Sequence, residues 1–576
     1  MNNLFKPIIT CLLMPLGMWA QSDLGNIQLN VTRAFEGEVQ QARKINDIPR
    51  IEDTIRTDVN LDYQIRPQSI LTDFKPEPLS PARIRRVPGE KLPKLMVRLG
   101  AGNNYLSPLA ELSFTSDRSR NQSWGVKARH FSTQSGVPNL HHVKEQGASN
   151  ANFLSENKLS GHYRRFFRDY TLTTRAEGFY YANNLYGVPA LDWNSDLEYS
   201  DIERQYFLGG NANISLNSQK TKQDRFFDDG HLHYHFVMDA FSSQEHFVSL
   251  PTKWSFPVDD QLLKFDLTAQ YQNTANNDLA TSAEYVNIQA KPNLDYVQEE
   301  ISVNIGLNFI YNDNNFVYQG EDIDLTSVFI FPEVVARYRV APNVFELFGG
   351  IDYDFRLNTI TDIIREAPWM NPGMRLQPTR REDYFAGMNL LIIPGLSLEG
   401  SGRYVNWRDK AAFFRDPNSF LDPEALQGLD LRYLNGNELN LAGSLNYKFN
   451  SHLSFGTNLS YSRFEFEGDI PYHLAPWRGG FNTRYNFRNK IGVKLDIIYV
   501  GTREAFNPNH YEDAPWADDF HVLPSFWDAD LQVDYYFNQN LTAFIKVHNA
   551  FASRYDMFLG YGAQRFLGLI GISFKL

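Results

Sequence analysis

From about Lys94 to Leu576, apolar and polar residues alternate one by one through segment after segment. Leu263, Phe265, Leu267, Ala269 and Tyr271 interleave with Lys264, Asp266, Thr268, Gln270 and Gln272. The same period governs Leu439–Phe449 and Trp527–Phe537. In a β-strand the two sets face opposite sides, so one face is apolar and aromatic and the other suits water. The alternating segments run about 10–14 residues, against about 5–6 in soluble sheets. Aromatics mark segment ends (Tyr447, Phe449, Tyr461, Tyr499, Tyr535, Phe537), where interfacial girdles need them. Short turns such as Ile393-Pro-Gly-Leu396 and Val340-Ala-Pro-Asn-Val344 alternate with long polar connections, Thr359–Glu382, Asp409–Arg432 and Thr502–Pro524. The pattern predicts an all-β fold: an antiparallel transmembrane β-barrel of about 22 strands (range about 14–22), with both termini on one side.

The first 93 residues have another texture. Lys6, the apolar stretch Pro7–Trp19 and Ala20 before Gln21 read as a signal peptide over 1–20, too short to span a bilayer. Residues 21–93 carry Pro49, Pro67, Pro76, Pro78, Pro81, Pro88 and Pro93, which no run of central strands accommodates. They predict an extended periplasmic segment that ends basic, at Arg83, Arg85, Arg86, Lys91 and Lys94. The barrel is expected over 94–576.

Composition narrows the chemistry. With 43 Phe and 30 Tyr the chain is rich in aromatics, and after residue 20 no run of about 18 apolar residues offers a membrane helix. Cys11, inside the expected signal, is the single cysteine, so a processed chain has no thiol for a disulfide, a nucleophile or a zinc site. A net charge of −12 without a basic tract argues against nucleic acid.

The last strand ends at the last residue, with Phe566, Ile570, Ile572, Phe574 and Leu576 on one face and Gly571, Ser573 and Lys575 on the other. Such a strand closes a barrel and is what the barrel-assembly machinery reads. The stretch Asn549-Ala-Phe551-Ala-Ser-Arg554-Tyr555, Gly560-Tyr561, Arg565-Phe566 and Gly568–Leu576 resembles the ending of TonB-dependent receptor barrels, with Ala550 for the usual Leu and Gln564 for the usual Gly. Those receptors carry a plug domain of about 130 residues, more than residues 21–93 supply. The chain is thus similar to plug-less, TonB-receptor-like barrels of the Bacteroidota type. That resemblance implies an outer-membrane location in a Gram-negative cell and leaves TonB-driven uptake in doubt. A barrel of about 22 strands needs its lumen obstructed. Residues 21–93, together with long loops folding in, would do this; a smaller barrel of about 14–18 strands would need little filling.

Candidate chemistry is sparse. His231, His233 and His235 share one strand face, where neighbours lie about 7 Å apart, and are weak metal candidates beside Asp228, Asp229 and Asp239. As plain lumen wall they need no metal. His141-His142 sits in an expected loop. The loop 502–524, with Glu504, Glu512, Asp513, Asp518 and Asp519 beside Tyr511 and Trp516, has oxygen ligands suited to calcium, though a solvated loop reads the same way. Ala367-Pro-Trp369 and Asn371-Pro-Gly form a rigid connection able to fold over the mouth or dock a partner. No Gly-x-Ser-x-Gly, His-Glu-x-x-His or phosphate loop occurs, no catalytic residue stands out and no cofactor is implied. The expected function is solute passage or receptor-type transport, with Lys264, Asp266, Arg337 and Arg339 tuning the lumen. The alternative is a subunit of an outer-membrane assembly or export complex with outer-membrane or periplasmic partners. An outer-membrane enzyme is the minor alternative.

Overall fold

The computed structural model describes residues 93–576, apart from 105, 117–118, 136–151, 188–202, 220–225, 259–260, 319–320, 415–427, 469 and 507–519. The expected signal peptide, the proline-rich segment up to residue 92, His141-His142 and most of the acidic loop (Tyr511, Glu512, Asp513, Trp516, Asp518, Asp519) lie outside the described residues.

The alternating segments form one 22-stranded antiparallel sheet. Each strand pairs with the next, and the first (Leu95–Gly102) closes on the last (Leu567–Lys575) from Met96↔Lys575 to Gly102↔Leu569. Closure leaves no sheet edge around most of the wall. Both chain ends of the barrel meet there, where the Lys94 amide donates to the Leu576 carbonyl. The connections at that end are short: 342–344, 394–395 and 488–490. Asn343, Gly395, Arg488 and Asn489 take positive φ to make them. At Gly395 a Cβ would also meet the Lys448 carbonyl at 2.7 Å. The opposite end carries the long connections, including 357–378 and 549–566. Strands are longer than the alternation implied, reaching 21 residues in Glu321–Ala341, because polar residues above the apolar stretch continue the ladder.

The apolar set faces out. Ile301, Ile305, Leu307, Phe309 and Tyr311 are exposed on one strand, and Val328, Ile330, Tyr338 and Val340 on its neighbour. Just beyond Tyr311↔Val328 the register reaches Asp313↔Thr326, and the Thr326 hydroxyl donates to the Asp313 carboxylate. The belt therefore stops at a polar rim, as a lipid-facing wall must. In the terminal strand Ile570, Ile572, Phe574 and Leu576 are exposed while Leu567, Leu569 and Ser573 are buried. An Ile305→Arg substitution, in the middle of the belt, is expected to cost about 2–4 kcal/mol. Guanidinium unfolding in lipid vesicles measures it.

The inner face is polar over most of the circumference, with Lys264 paired to Asp295 and Lys291 to Glu333 at 2.6 Å. Asp383 receives Arg381 at 3.0 Å and Arg403 at 3.1 Å.

Candidate functional site

The lumen is crossed at its long-loop end by residues 357–378. This connection leaves strand Phe345–Arg356, makes the short helix Ile360–Glu366 and returns to strand Thr379–Ile393. Thr359 caps the helix, its hydroxyl accepting from the Asp362 amide, and Asp362 also holds Arg356 at 2.9 Å. The apolar residues Ile360, Ile363 and Ile364 are buried.

Strand side chains from the inner wall fasten this loop. Glu245, 0% exposed, accepts from the Ile360 amide at 2.8 Å and from the Gln272 amide at 2.9 Å. Its other oxygen meets His235 Nε2 at 2.7 Å. Gln272 also donates to the Asn358 carbonyl, and the Tyr285 hydroxyl to the Leu376 carbonyl. The Tyr433 hydroxyl accepts from the Gln377 amide and donates to the Arg375 carbonyl. Backbone that leaves the sheet must find partners for its N–H and C=O groups, and here the wall supplies them.

Above the helix the mouth is filled by apolar side chains. Tyr186, Trp369, Met370, Phe413, Leu429, Phe558 and Tyr561 form one buried cluster with the helix. Trp369 stacks on Tyr561 at 4.9 Å, and the Tyr186 hydroxyl donates to the Gly562 carbonyl at 3.0 Å. The long loops thus fold in as the sequence suggested, and Trp369 of the proline-rich connection lies at their centre. The conspicuous Asn549 organises the final loop. Its φ is 48°, its amide donates to the carbonyls of Ser553 and Gln564, and its oxygen accepts from the Ser553 amide. Arg503 donates to the carbonyls of Asp556 and Met557, both at 2.6 Å.

His473 ties two loops together. Its Nδ1–H donates to the Phe413 carbonyl at 2.9 Å and its Nε2 accepts from the Leu559 amide at 3.1 Å, which fixes the neutral tautomer. Burial, reinforced by the Arg503 cation and opposed by the Phe413 carbonyl, pushes its pKa down to about 4. The unfolded loop takes up a proton near pH 6.5 and the folded one near pH 4, so in that window the open form binds more protons. The mouth packing is at full strength above pH 6.5 and weakens as pH falls toward 4, by roughly 3 kcal/mol in total. Hydrogen exchange of residues 549–566 against pH measures this. His473→Gln should flatten the profile.

The histidines named from sequence occupy the inner wall. His235 is committed to Glu245, His233 lies 3.5 Å from His235, and His231 pairs with Asp229 at 2.8 Å. Among the described residues no group of three His, Cys, Asp or Glu side chains is placed to hold a metal ion. Lys264 is paired with Asp295, Asp266 is half-buried nearby, and Arg337 and Arg339 are exposed near the short-turn end. Glu245, Gln272, Tyr285, Tyr433 and His473 were not legible from sequence. The signal of the first four is a polar residue on the lumen side of a strand, which dozens of others share, and His473 lies in a connection where alternation gives none.

No protein family and no curated protein matches this sequence. Solved structures do. The FrpB iron transporter from Neisseria meningitidis superposes with a TM-score of 0.63 at 11% identity, covering 85% of this chain and 82% of that one. The ferric-catecholate import receptor Fiu from K12 E. coli, in its closed form, gives 0.60 at 9% identity over 84% and 82%. The copper transporter OprC gives 0.57 at 12% identity over 84% and 82%. At such identities the likeness is one of fold: these transporters and receptors share the large closed β-barrel. A closed barrel of this kind with an apolar exterior is an outer-membrane protein.

Proposed function

We propose that this chain is a receptor-type transport barrel that passes solute across the outer membrane without a conventional plug, its lumen closed by its own loops. The observation that carries this reading is the crossing loop 357–378, held to the inner wall by Glu245, Gln272, Tyr285 and Tyr433. A 22-strand lumen is wide, and a barrier held by hydrogen bonds can be displaced where a wall cannot. The similar structures, named as an iron transporter, a ferric-catecholate import receptor and a copper transporter, support solute passage. In this reading residues 1–20 direct export. Residues 21–93 are the expected Pro-rich periplasmic or lumen-filling segment of a plug-less, Bacteroidota-type barrel, and the barrel-assembly machinery inserts the chain through Leu567–Lys575.

A second reading, a non-conducting subunit of an outer-membrane assembly, has one observation in its favour: the mouth is sealed by fully buried side chains such as Tyr561 and Leu429. Planar-bilayer recording of the full chain separates the two. Transport predicts openings that a solute or a voltage step modulates. A barrel silent under every condition, recovered in stoichiometric complex with another envelope protein, overturns it. Limited proteolysis of the membrane-embedded protein tests the segment 21–93, which should be protected.

A further inference from the structure

One stretch of wall is not closed. Strand Glu321–Ala341 pairs from Glu321 to Tyr338 with Ile301–Tyr318, but its pairing with Phe345–Arg356 stops at Val334↔Ile351. Beyond that point residues 321–333 have a neighbour on one side only, and Asp352–Arg356 pair only with Thr379–Asp383.

The break is encoded by two residues. Pro332, two positions past the last pair, has no N–H to donate to a ladder. At Gly350 the two backbones approach so closely that a Cβ would sit 2.1 Å from the Val334 carbonyl oxygen. From there Phe345–Arg356 bends behind its neighbour. Its Tyr353 ring stacks on Phe331 with centroids 3.5 Å apart, and Phe355 lies 6.2 Å from Phe329. Two inner-wall amides replace the lost ladder: Asn308 donates to the Tyr353 carbonyl and Gln289 to the Phe355 carbonyl at 3.0 Å.

The wall is therefore double here, with an apolar filling. Phe247, Ala283, Tyr285, Ile310, Phe316, Tyr353 and Phe355 are buried in one cluster against Phe329 and Phe331. The open edge of the outer layer lies at membrane depth, since Val328 and Ile330 beside it are 66% and 57% exposed within the apolar belt. The cluster also leads inward. Phe316, Ile360 and Met374 line a small cavity beneath the crossing loop, together with the polar residues Thr274, Asn276 and Arg375. The Arg375 guanidinium lies 3.7 Å over the Phe316 ring and forms no ion pair among the described residues.

We propose that this seam, between Glu321–Glu333 and Asp352–Arg356, is a lateral portal through which a single-chain anionic amphiphile of fatty-acid type moves between the bilayer and the lumen cavity, its carboxylate at Arg375. An open edge in lipid leaves backbone groups unpaired, and behind it the apolar cluster runs from Phe329 and Phe331 through Ile310 to Phe316, interrupted by the Asn308 and Gln289 amides that hold the inner strand, before it meets Arg375. An apolar chain fits the aromatic filling of the seam, and a charged head group fits the polar-lined cavity beside Arg375. The inference rests on the transport reading and gives it a substrate class.

The test uses the full chain with Cys11→Ser, reconstituted in phosphatidylethanolamine–phosphatidylglycerol vesicles containing a diazirine-bearing palmitic acid. After illumination, adducts are mapped by mass spectrometry. The portal predicts adducts on Phe329, Phe331, Tyr353 and Phe316, competed by unlabelled palmitate, with those at Phe316 falling several-fold in Arg375→Gln. Adducts confined to outward residues such as Val328, Ile330 and Phe309 overturn it. In a Phe331→Cys, Tyr353→Cys chain, oxidation should cut labelling at Phe316 by an order of magnitude and reduction restore it. Equal labelling in both states also overturns the portal. Labelling at Phe316 in a barrel silent to polar solutes would keep the portal and remove polar transport; adducts on outward residues alone in a barrel that conducts would do the reverse.

Discussion

Replacing residues 358–377 with a short Gly/Ser linker is expected to turn a mostly silent barrel into one with a steady open conductance in planar bilayers. The loop bonds to inner-wall strands through Glu245, Gln272 and Tyr285 on one side and Tyr433 on the other. Removing it also takes Trp369 and Met370 out of the mouth cluster, so that Phe558 and Tyr561 each lose the Trp369 ring. The emptied lumen of a 22-strand barrel should conduct at least as well as roughly 16–18-stranded porins. Conductance that appears at once identifies the loop as the sole seal. Conductance that appears only after protease treatment identifies residues 21–93 as a second one. A variant silent in both cases shows that the loop is not the barrier. The strand scaffold should survive, because the ladder Phe345–Arg356 with Thr379–Leu390 remains complete.

Glu245→Ala should release the same loop without deleting it. The carboxylate is fully buried and serves three partners at once: the Ile360 amide, the Gln272 amide and His235. Alanine leaves the Ile360 amide and His235 Nε2 in a closed space without that acceptor, and Gln272 with only its bond to the Asn358 carbonyl. Each orphaned group costs about 1–3 kcal/mol, and part of the loss is shared by relaxation, so the loop should be loosened by about 4 kcal/mol. Trypsin provides the readout. Arg365 sits on the helix with 70% of its side chain exposed, yet the helix around it is buried and a protease cannot extend it. Cleavage after Arg365 should rise by two to three orders of magnitude in Glu245→Ala while heat resistance of the barrel stays put. Unchanged cleavage would mean that the apolar cluster alone holds the helix. Glu245→Gln keeps the volume but offers a donor to neighbours that donate, and should fall between.

Much of the architecture was legible because a barrel wall obeys one local rule. Neighbours in sequence are neighbours in the sheet, and side chains alternate between lipid and lumen. Leu263–Gln272 and the terminal strand therefore announce which side each residue faces, and their exposed and buried sets agree. Short turns such as 394–395 carry their own residue chemistry in Pro394-Gly395. The site was much less legible. Alternation says that Glu245, Gln272 and His235 face inward, but it says the same of Lys264 and Asp266, which hold no loop.

The sequence by itself determined the barrel, its near-final strand number, the common side of its ends and the inward or outward direction of each wall residue, since all of these follow from periodicity between adjacent residues. Only the tertiary structure decided what meets across the lumen: the Ile360 amide on Glu245, Trp369 on Tyr561, His473 between Phe413 and Leu559. It also decided where the wall opens. Pro332 and Gly350 are ordinary residues in their own segments, and they break a ladder only because closure sets them side by side. The period of a strand fixes a face, whereas a partner across the lumen is fixed by the curvature and register of the whole sheet.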